Sequence, residues 1–181
     1  MDFEPLDLPG AYLVKTPRPA DERGWFQRTF DRQSFLRAGL QDCSLQGSLS
    51  WSPNRGTLRG MHFQKPPYGE TKLVRCLSGR IFDVIVDLRP DQLTYQKWSG
   101  VELSAESGVA LYIPQGFAHG FLTREDACLV QYQMAEPFVA GAAAGCRWDD
   151  PAFAIAWPEA PLIVGAKDLE WPVFSPTRTS A

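Results

Sequence analysis

Histidine is nearly missing from this 181-residue chain, which carries two, His62 and His119. Imidazole is the commonest neutral ligand of a transition metal, so a metal site is hard to assemble from this composition. The four cysteines, Cys43, Cys76, Cys128 and Cys146, form no C-x-x-C pair, and three sit inside apolar, strand-like runs. They read as small buried hydrophobes rather than a disulfide framework or a zinc site. No apolar run approaches the ~20 residues of a membrane helix, so no membrane partner is expected. The N-terminus, Met-Asp-Phe-Glu-Pro, lacks the basic region and apolar stretch of a signal peptide, which makes the cytoplasm the expected compartment. Charge of one sign is scarce as well: 18 Lys and Arg against 21 Asp and Glu leave a net charge of −3. That balance argues against nucleic acid as a partner, while local arginines can still hold a small anion.

What remains is an ordinary globular composition, 44% hydrophobic and 22% charged, at a length that suits one domain over residues 1–181. Gly10 to Pro17 reads as a first strand and Trp25 to Phe30 as a second, on aromatic and Thr content. Asp31 opens one short helix as its N-cap, with Phe35 and Leu36 apolar and Gly39 in the C-cap position. From Cys43 onward the pattern is strand after strand: Ser44 to Trp51, Gly56 to Gln64, Thr71 to Leu77, Arg80 to Leu88, Tyr95 to Leu103, Ala110 to Ile113 and Leu129 to Met134. Turn residues recur every 8–12 positions or so, as in a β sandwich or barrel. No helical period long enough for a crossover intervenes, which argues against a parallel α/β sheet. The Pro- and Trp-rich tail from Pro151 is too aromatic for a linker and is expected to fold back over the sandwich, with Thr177 to Ala181 loose.

The chemistry concentrates in Thr57-Leu-Arg-Gly-Met-His-Phe-Gln64 and Thr71-Lys-Leu-Val-Arg-Cys76. A His, a Lys and an Arg in one apolar hairpin are costly to bury without a purpose. Taken alone, the stretch is equally compatible with a core histidine beside two surface cations. Strand alternation places Lys72 on one face with Val74 and Cys76, and Tyr132 on one face with Cys128, Val130 and Met134, so both point into the apolar side. A core tyrosine bonded to backbone would explain Tyr132 as well. His119 follows a tight Pro-x-Gly turn in Ile113-Pro-Gln-Gly-Phe-Ala-His119, a spacing that resembles the second motif of the cupin superfamily. Metal cupins carry a second histidine where this chain has Gln64, so a metal-free barrel is expected.

Read together, Asp21-Glu-Arg-Gly-Trp-Phe26, Leu58-Arg-Gly-Met-His62, Lys72-Leu-Val-Arg75, Ile81-Phe-Asp-Val84, Trp98-Ser-Gly-Val-Glu-Leu103, Pro114-Gln-Gly-Phe-Ala-His-Gly-Phe121 and Arg147-Trp-Asp-Asp-Pro151 resemble the dTDP-4-dehydrorhamnose 3,5-epimerase family over roughly residues 5–175. The resemblance implies an all-β, cupin-type double-stranded β-helix (a jelly roll) with a short N-terminal helix and a C-terminal extension. It implies an isomerase that needs no cofactor, acts on a nucleotide-linked 4-keto-6-deoxy-hexose and pairs as a homodimer. His62 would be the base and Asp168 its orienting carboxylate; Lys72 would stabilise the enolate, and Tyr132 would return the proton from the opposite face. Arg23 and Arg59 would clamp the diphosphate, Phe26 and Gln46 would contact the nucleobase, and His119 the sugar or phosphate region. Lys167 and Phe138 complete the implied binding set.

The chain departs from the family pattern at Arg28, where glutamate is usual, at Ser48 of Gln46-Gly-Ser48, where the family has Gln-x-Asn, and at Phe138, where a tyrosine is common. If the missing hydroxyl of Phe138 serves the second proton transfer, the product would be inverted at one carbon. The alternatives are therefore a 3-mono-epimerase or a 3,4-ketoisomerase on a related nucleotide sugar, or a non-catalytic sugar- or metal-binding cupin.

Overall fold

The computed structural model of the chain describes residues 1–175. The expectation for Thr177 to Ala181 falls outside the described residues. In chain order the elements are β1 (Asp2–Pro5), β2 (Tyr12–Lys15), β3 (Ala20–Asp21), β4 (Gly24–Trp25), α1 (Arg32–Arg37), β5 (Gln46–Ser52), β6 (Thr57–Gln64), β7 (Lys72–Ser78) and β8 (Arg80–Asp87). They continue as β9 (Trp98–Ser104), β10 (Ala110–Ile113), β11 (Phe117–Thr123), β12 (Cys128–Met134), β13 (Ala143–Gly145), β14 (Ile163–Val164) and α2 (Ala166–Leu169). Two sheets result, one ordered β1-β2-β10-β7-β12-β5 and the other β13-β6-β11-β8-β9 with β14 beside β6. From β5 to β12 the chain changes sheet at every connection except β8 to β9, which winds it into the jelly roll expected from the turn spacing.

Burial follows this winding. Val74, Cys76, Ile81, Ile85, Leu111, Phe121 and Val130 fill the space between the sheets. On the outer face of the first sheet, Phe35 of α1 packs on Phe3, Phe30 and Tyr112 with ring centroids 4.8 to 5.9 Å apart. Helix α1 holds its place through both ends. Asp31 Oδ1 accepts the Ser34 N–H at 2.8 Å, and beyond the last turn Gly39, at φ +73°, lets Leu40 N–H reach Phe35 O at 2.9 Å and Gly39 N–H reach Leu36 O at 3.1 Å. The tail does cover the second sheet: Phe153, Ile155, Trp157 and Phe174 pack over Met61, Val84, Val86 and Ala118. Burial pushes the thiols of Cys43, Cys76 and Cys146 up to about 12, as befits small hydrophobes.

Two strand expectations need correction. Trp25 to Phe30 is not a strand beyond Trp25: Phe26 N–H closes the β3–β4 hairpin on Pro19 O at 3.0 Å, and the following residues are drawn to other partners. Gln27 Nε2 donates to Thr16 Oγ1 and Gly108 O, and Arg75 Nη2 donates to Thr29 O, so this segment crosses the outer face of the first sheet irregularly. Tyr95 to Lys97 form a turn rather than the start of β9. The short strands β1, β13 and β14 were not expected, because two to four residues carry no readable alternation.

One irregularity positions the second sheet's polar residues. In the β6–β11 ladder His62 stands opposite His119 and Arg59 opposite Phe121, so β6 carries one residue more than its partner. Gly60, at φ +140°, forms this bulge against Gly120: a Cβ on Gly60 would lie 2.5 Å from Gly120 Cα. Arg59 and His62 are three residues apart and would face opposite ways in a regular strand; past the bulge both line one cleft. Gly60→Ala is therefore expected to lower stability by about 1–3 kcal/mol in urea denaturation. An unchanged midpoint would show that the bulge accommodates a side chain.

Candidate active site

His62 projects from β6 with its side chain 44% exposed, and its Nε2 lies 2.6 Å from Asp168 Oδ1. Asp168, buried in the short helix α2, accepts Gly60 N–H on its other oxygen at 3.1 Å. Burial pushes this carboxyl up, but the bonds from His62 and Gly60 outweigh it and hold Asp168 below the usual carboxylate range. An ionised carboxylate only accepts, so in the neutral imidazole Nε2 carries the hydrogen and Nδ1 the free lone pair. That is the arrangement of an oriented general base. The Trp171 ring stands edge-on to His62, centroids 6.4 Å apart.

Around the pair lies a cleft of about 410 Å³ walled by Arg59, Gln64, Glu70, Phe138, Lys167 and Trp171, among others. Arg59 donates to Ser52 Oγ at 3.2 Å and to Trp51 O at 3.0 Å. Both acceptors are neutral, so its charge is not cancelled by them. Lys167 Nζ lies 5.5 Å from the Trp171 ring centroid, Phe138 is largely exposed, and Gln46 Oε1 accepts the Phe138 N–H at 2.9 Å.

Lys72, Tyr132 and His119 occupy the facing and neighbouring strands. Lys72 opens β7, is buried as alternation implied, and its Nζ meets Glu70 Oε1 at 2.9 Å. Tyr132, on β12, packs against the inner core and stands edge-to-face on His119 with centroids 5.9 Å apart. Its hydroxyl pKa is raised, first by burial and then by the charge of Asp83, with Arg59 opposing. His119 is buried directly across the ladder from His62, and its Nε2 lies 2.8 Å from Asp83 Oδ1. Glu70, Trp171 and Asp83 were missed from sequence. Of these, Asp83 left a readable signal, standing at period two between Ile81 and Ile85.

The chain does not itself bring Arg23 and Phe26 to this cleft. Arg23 sits on the β3–β4 hairpin, its side chain 85% exposed and paired with Asp21 at 2.5 Å, and Phe26 follows it outward. Of the other departures from pattern, Arg28 pairs with Asp31 at the helix cap, while Ser48 stands directly across from Tyr132. A larger cavity, about 950 Å³, lies between Phe63, the Pro66–Pro67 turn, Tyr95 and Phe174. It brings no imidazole to a carboxylate, so the chemistry points to the smaller cleft.

A model of the dTDP-4-dehydrorhamnose 3,5-epimerase family matches residues 5–176. The chain is 40% identical to the enzyme of that name from Sinorhizobium fredii over 95% of this chain and 89% of the relative, and 43% identical to that from Methanothermobacter thermautotrophicus over 93% and 92%. The chain belongs to this family. A crystal structure of the Bacillus anthracis dTDP-4-dehydrorhamnose 3,5-epimerase, with TDP and pyrophosphate bound, superposes with a TM-score of 0.91 at 36% identity, covering 96% of this chain and 99% of the other. Membership agrees with the resemblance read from the motifs, and the jelly roll agrees with the fold it implied.

Asp168→Asn is expected to lower kcat at least about a hundredfold with KM little changed, because an amide can stabilise neither the productive tautomer nor the imidazolium. The same variant should differ in acid stability. A carboxyl whose folded pKa is depressed contributes stability above its unfolded value of about 4, and that contribution is lost as pH falls through the lower folded value. Urea midpoints at pH 7 and pH 3 should therefore converge between wild type and variant at the lower pH; a constant gap would contradict the assignment.

Proposed function

We propose that this protein is a 3,5-epimerase that inverts C3 and C5 of a dTDP-linked 4-keto-6-deoxy-hexose in deoxysugar biosynthesis. The observation that carries the reading is the His62–Asp168 pair at the cleft, and it is supported by Tyr132 and Lys72 lying on strands of the opposite sheet. The 4-ketone acidifies the protons on both flanking carbons. His62 Nδ1 takes one of them, and the electron pair moves onto O4 as an enolate. Asp168 stabilises the imidazolium that forms, and the Lys72 ammonium offsets the charge on O4. Tyr132 then delivers its hydroxyl proton to the opposite face of the carbon, which inverts it, and solvent restores both groups. Oriented acid–base groups of this kind contribute about 10²–10⁴-fold each.

Arg59 and Lys167 are suited to the diphosphate, through charge-assisted bonds at the cleft rim. Phe138 offers a flat exposed surface for the nucleobase, with Gln46 beside it, and His119 would approach the sugar. Arg23 and Phe26 meet the same substrate if a second copy supplies its hairpin. We therefore propose a homodimer, supported further by the outer face of edge strand β5, where Leu49 and Trp51 are 64% and 53% exposed. The four free, buried thiols suit a reducing compartment, and we place the reaction in the cytoplasm.

Incubation with dTDP-4-keto-6-deoxyglucose in deuterium oxide is expected to place deuterium at both C3 and C5, read by NMR and mass, and His62→Ala to abolish both. Deuterium at C3 alone would favour the mono-epimerase, with the absent Phe138 hydroxyl as the first suspect. Unchanged turnover in His62→Ala would sink the catalytic assignment. Light scattering at micromolar concentration should report two chains, with Trp51→Glu shifting the population toward one; a wild-type monomer would refute the dimer.

A further inference from the structure

Asp83 is a buried carboxylate with only one of its oxygens bonded. It lies on β8 between Ile81 and Ile85, on the core-facing side, with no accessible surface. A carboxylate in such a place is expensive unless its hydrogen bonds are complete. Only Oδ1 is engaged, by His119 Nε2 at 2.8 Å; Oδ2 has no hydrogen-bond partner among the described residues. A purely structural ion pair would gain from satisfying both oxygens, so the half-satisfied one calls for a reason.

The register supplies it. Asp83 stands opposite Phe121 on β11, and His119 stands opposite Ile85, so carboxylate and imidazole are diagonal neighbours on one face. His119 is in turn the direct cross-strand neighbour of His62. Two imidazoles thus sit side by side, each with its own carboxylate, one at the cleft and one beneath it. The buried ring is the one on which Tyr132 rests, edge-to-face at 5.9 Å.

We infer that Asp83 is a positioning residue for the proton-returning face: it fixes the His119 ring, and that ring fixes Tyr132 for delivery of the second proton. The inference rests on the reading of Tyr132 as the acid opposite His62. The electrostatic influence of Asp83 on the Tyr132 hydroxyl is in keeping with it.

The consequence is a split between two rates. His62 is solvent-accessible, so its imidazolium exchanges its proton with water and can return a deuteron to the face it attacked. A misplaced Tyr132 leaves that exchange with retention intact while inversion fails. Asp83→Asn keeps the size of the side chain and an acceptor for His119. In deuterium oxide it is expected to incorporate deuterium into recovered substrate within about threefold of the wild-type rate, while inversion falls at least tenfold. Asp83→Ser, which also removes the carboxylate, should give the same split and serves if Asp83→Asn fails to fold, as checked by circular dichroism. Exchange and inversion falling in parallel, or both unchanged, would overturn the inference. Wild-type protein without exchange, or Tyr132→Phe with full inversion, would instead overturn the reading beneath it.

Discussion

The contact between Gly60 and Gly120 is the constraint from which the site follows. Two strands approach there more closely than any Cβ permits, and the extra residue on β6 leaves Gly60 N–H without its ladder carbonyl. A buried donor needs an acceptor. Asp168 provides it with one oxygen, which leaves the other aimed at His62 Nε2. The carboxylate that orients the base is thus held by a backbone irregularity as well as by the base. Strand β14, pairing parallel with the start of β6 through Ile163 and Val164, brings α2 to that point from more than a hundred residues downstream.

Charge within the barrel is arranged by the same economy. The carboxylates beside the site each meet a nitrogen: Asp168 meets His62, Asp83 meets His119, and Glu70 meets Lys72. Pairing at these distances makes the burial tolerable and keeps the members oriented. Arg59 differs, since its named partners, Ser52 Oγ and Trp51 O, carry no charge. The cleft rim therefore keeps a positive group for an anionic ligand while the interior stays close to neutral. A chain of net charge −3 can thus present a local positive group at a cleft.

Much of this was legible in the sequence wherever period two held. Alternation alone put Lys72 and Tyr132 inward, and the structure has them there, because β7 and β12 run as regular strands through those positions. The same rule misplaces Arg59 relative to His62: the bulge depends on two glycines sixty residues apart, and nothing local in Gly60 announces Gly120. Trp25 to Phe30 failed for a related reason. Its aromatic and Thr content suits a strand, yet Gln27 and Thr29 found partners on Gly108 and Arg75 that no local pattern contains. Asp168 was reached through the family resemblance, since a partner at such separation leaves no mark in spacing. Asp83 shares a period-two face with Ile81 and Ile85, so alternation along β8 carries it inward with them.

The division between rigid and variable parts accounts for where this chain departs from its family. His62, Lys72, His119, Tyr132 and Asp83 all sit on strands of the two sheets, where ladder bonds and neighbouring side chains restrict their movement. Two of the departures fall outside the two sheets and one on a sheet edge. Arg28 lies in the irregular segment before α1, Ser48 on the edge strand β5, and Phe138 in the connection after β12. Changes at such places alter the molecular surface without moving the side chains held on the central strands. Ser48 is the exception in reach, because it faces Tyr132 directly across the ladder. The identity of residue 48 therefore bears on the packing of the Tyr132 side chain, and so links the variable edge to the interior.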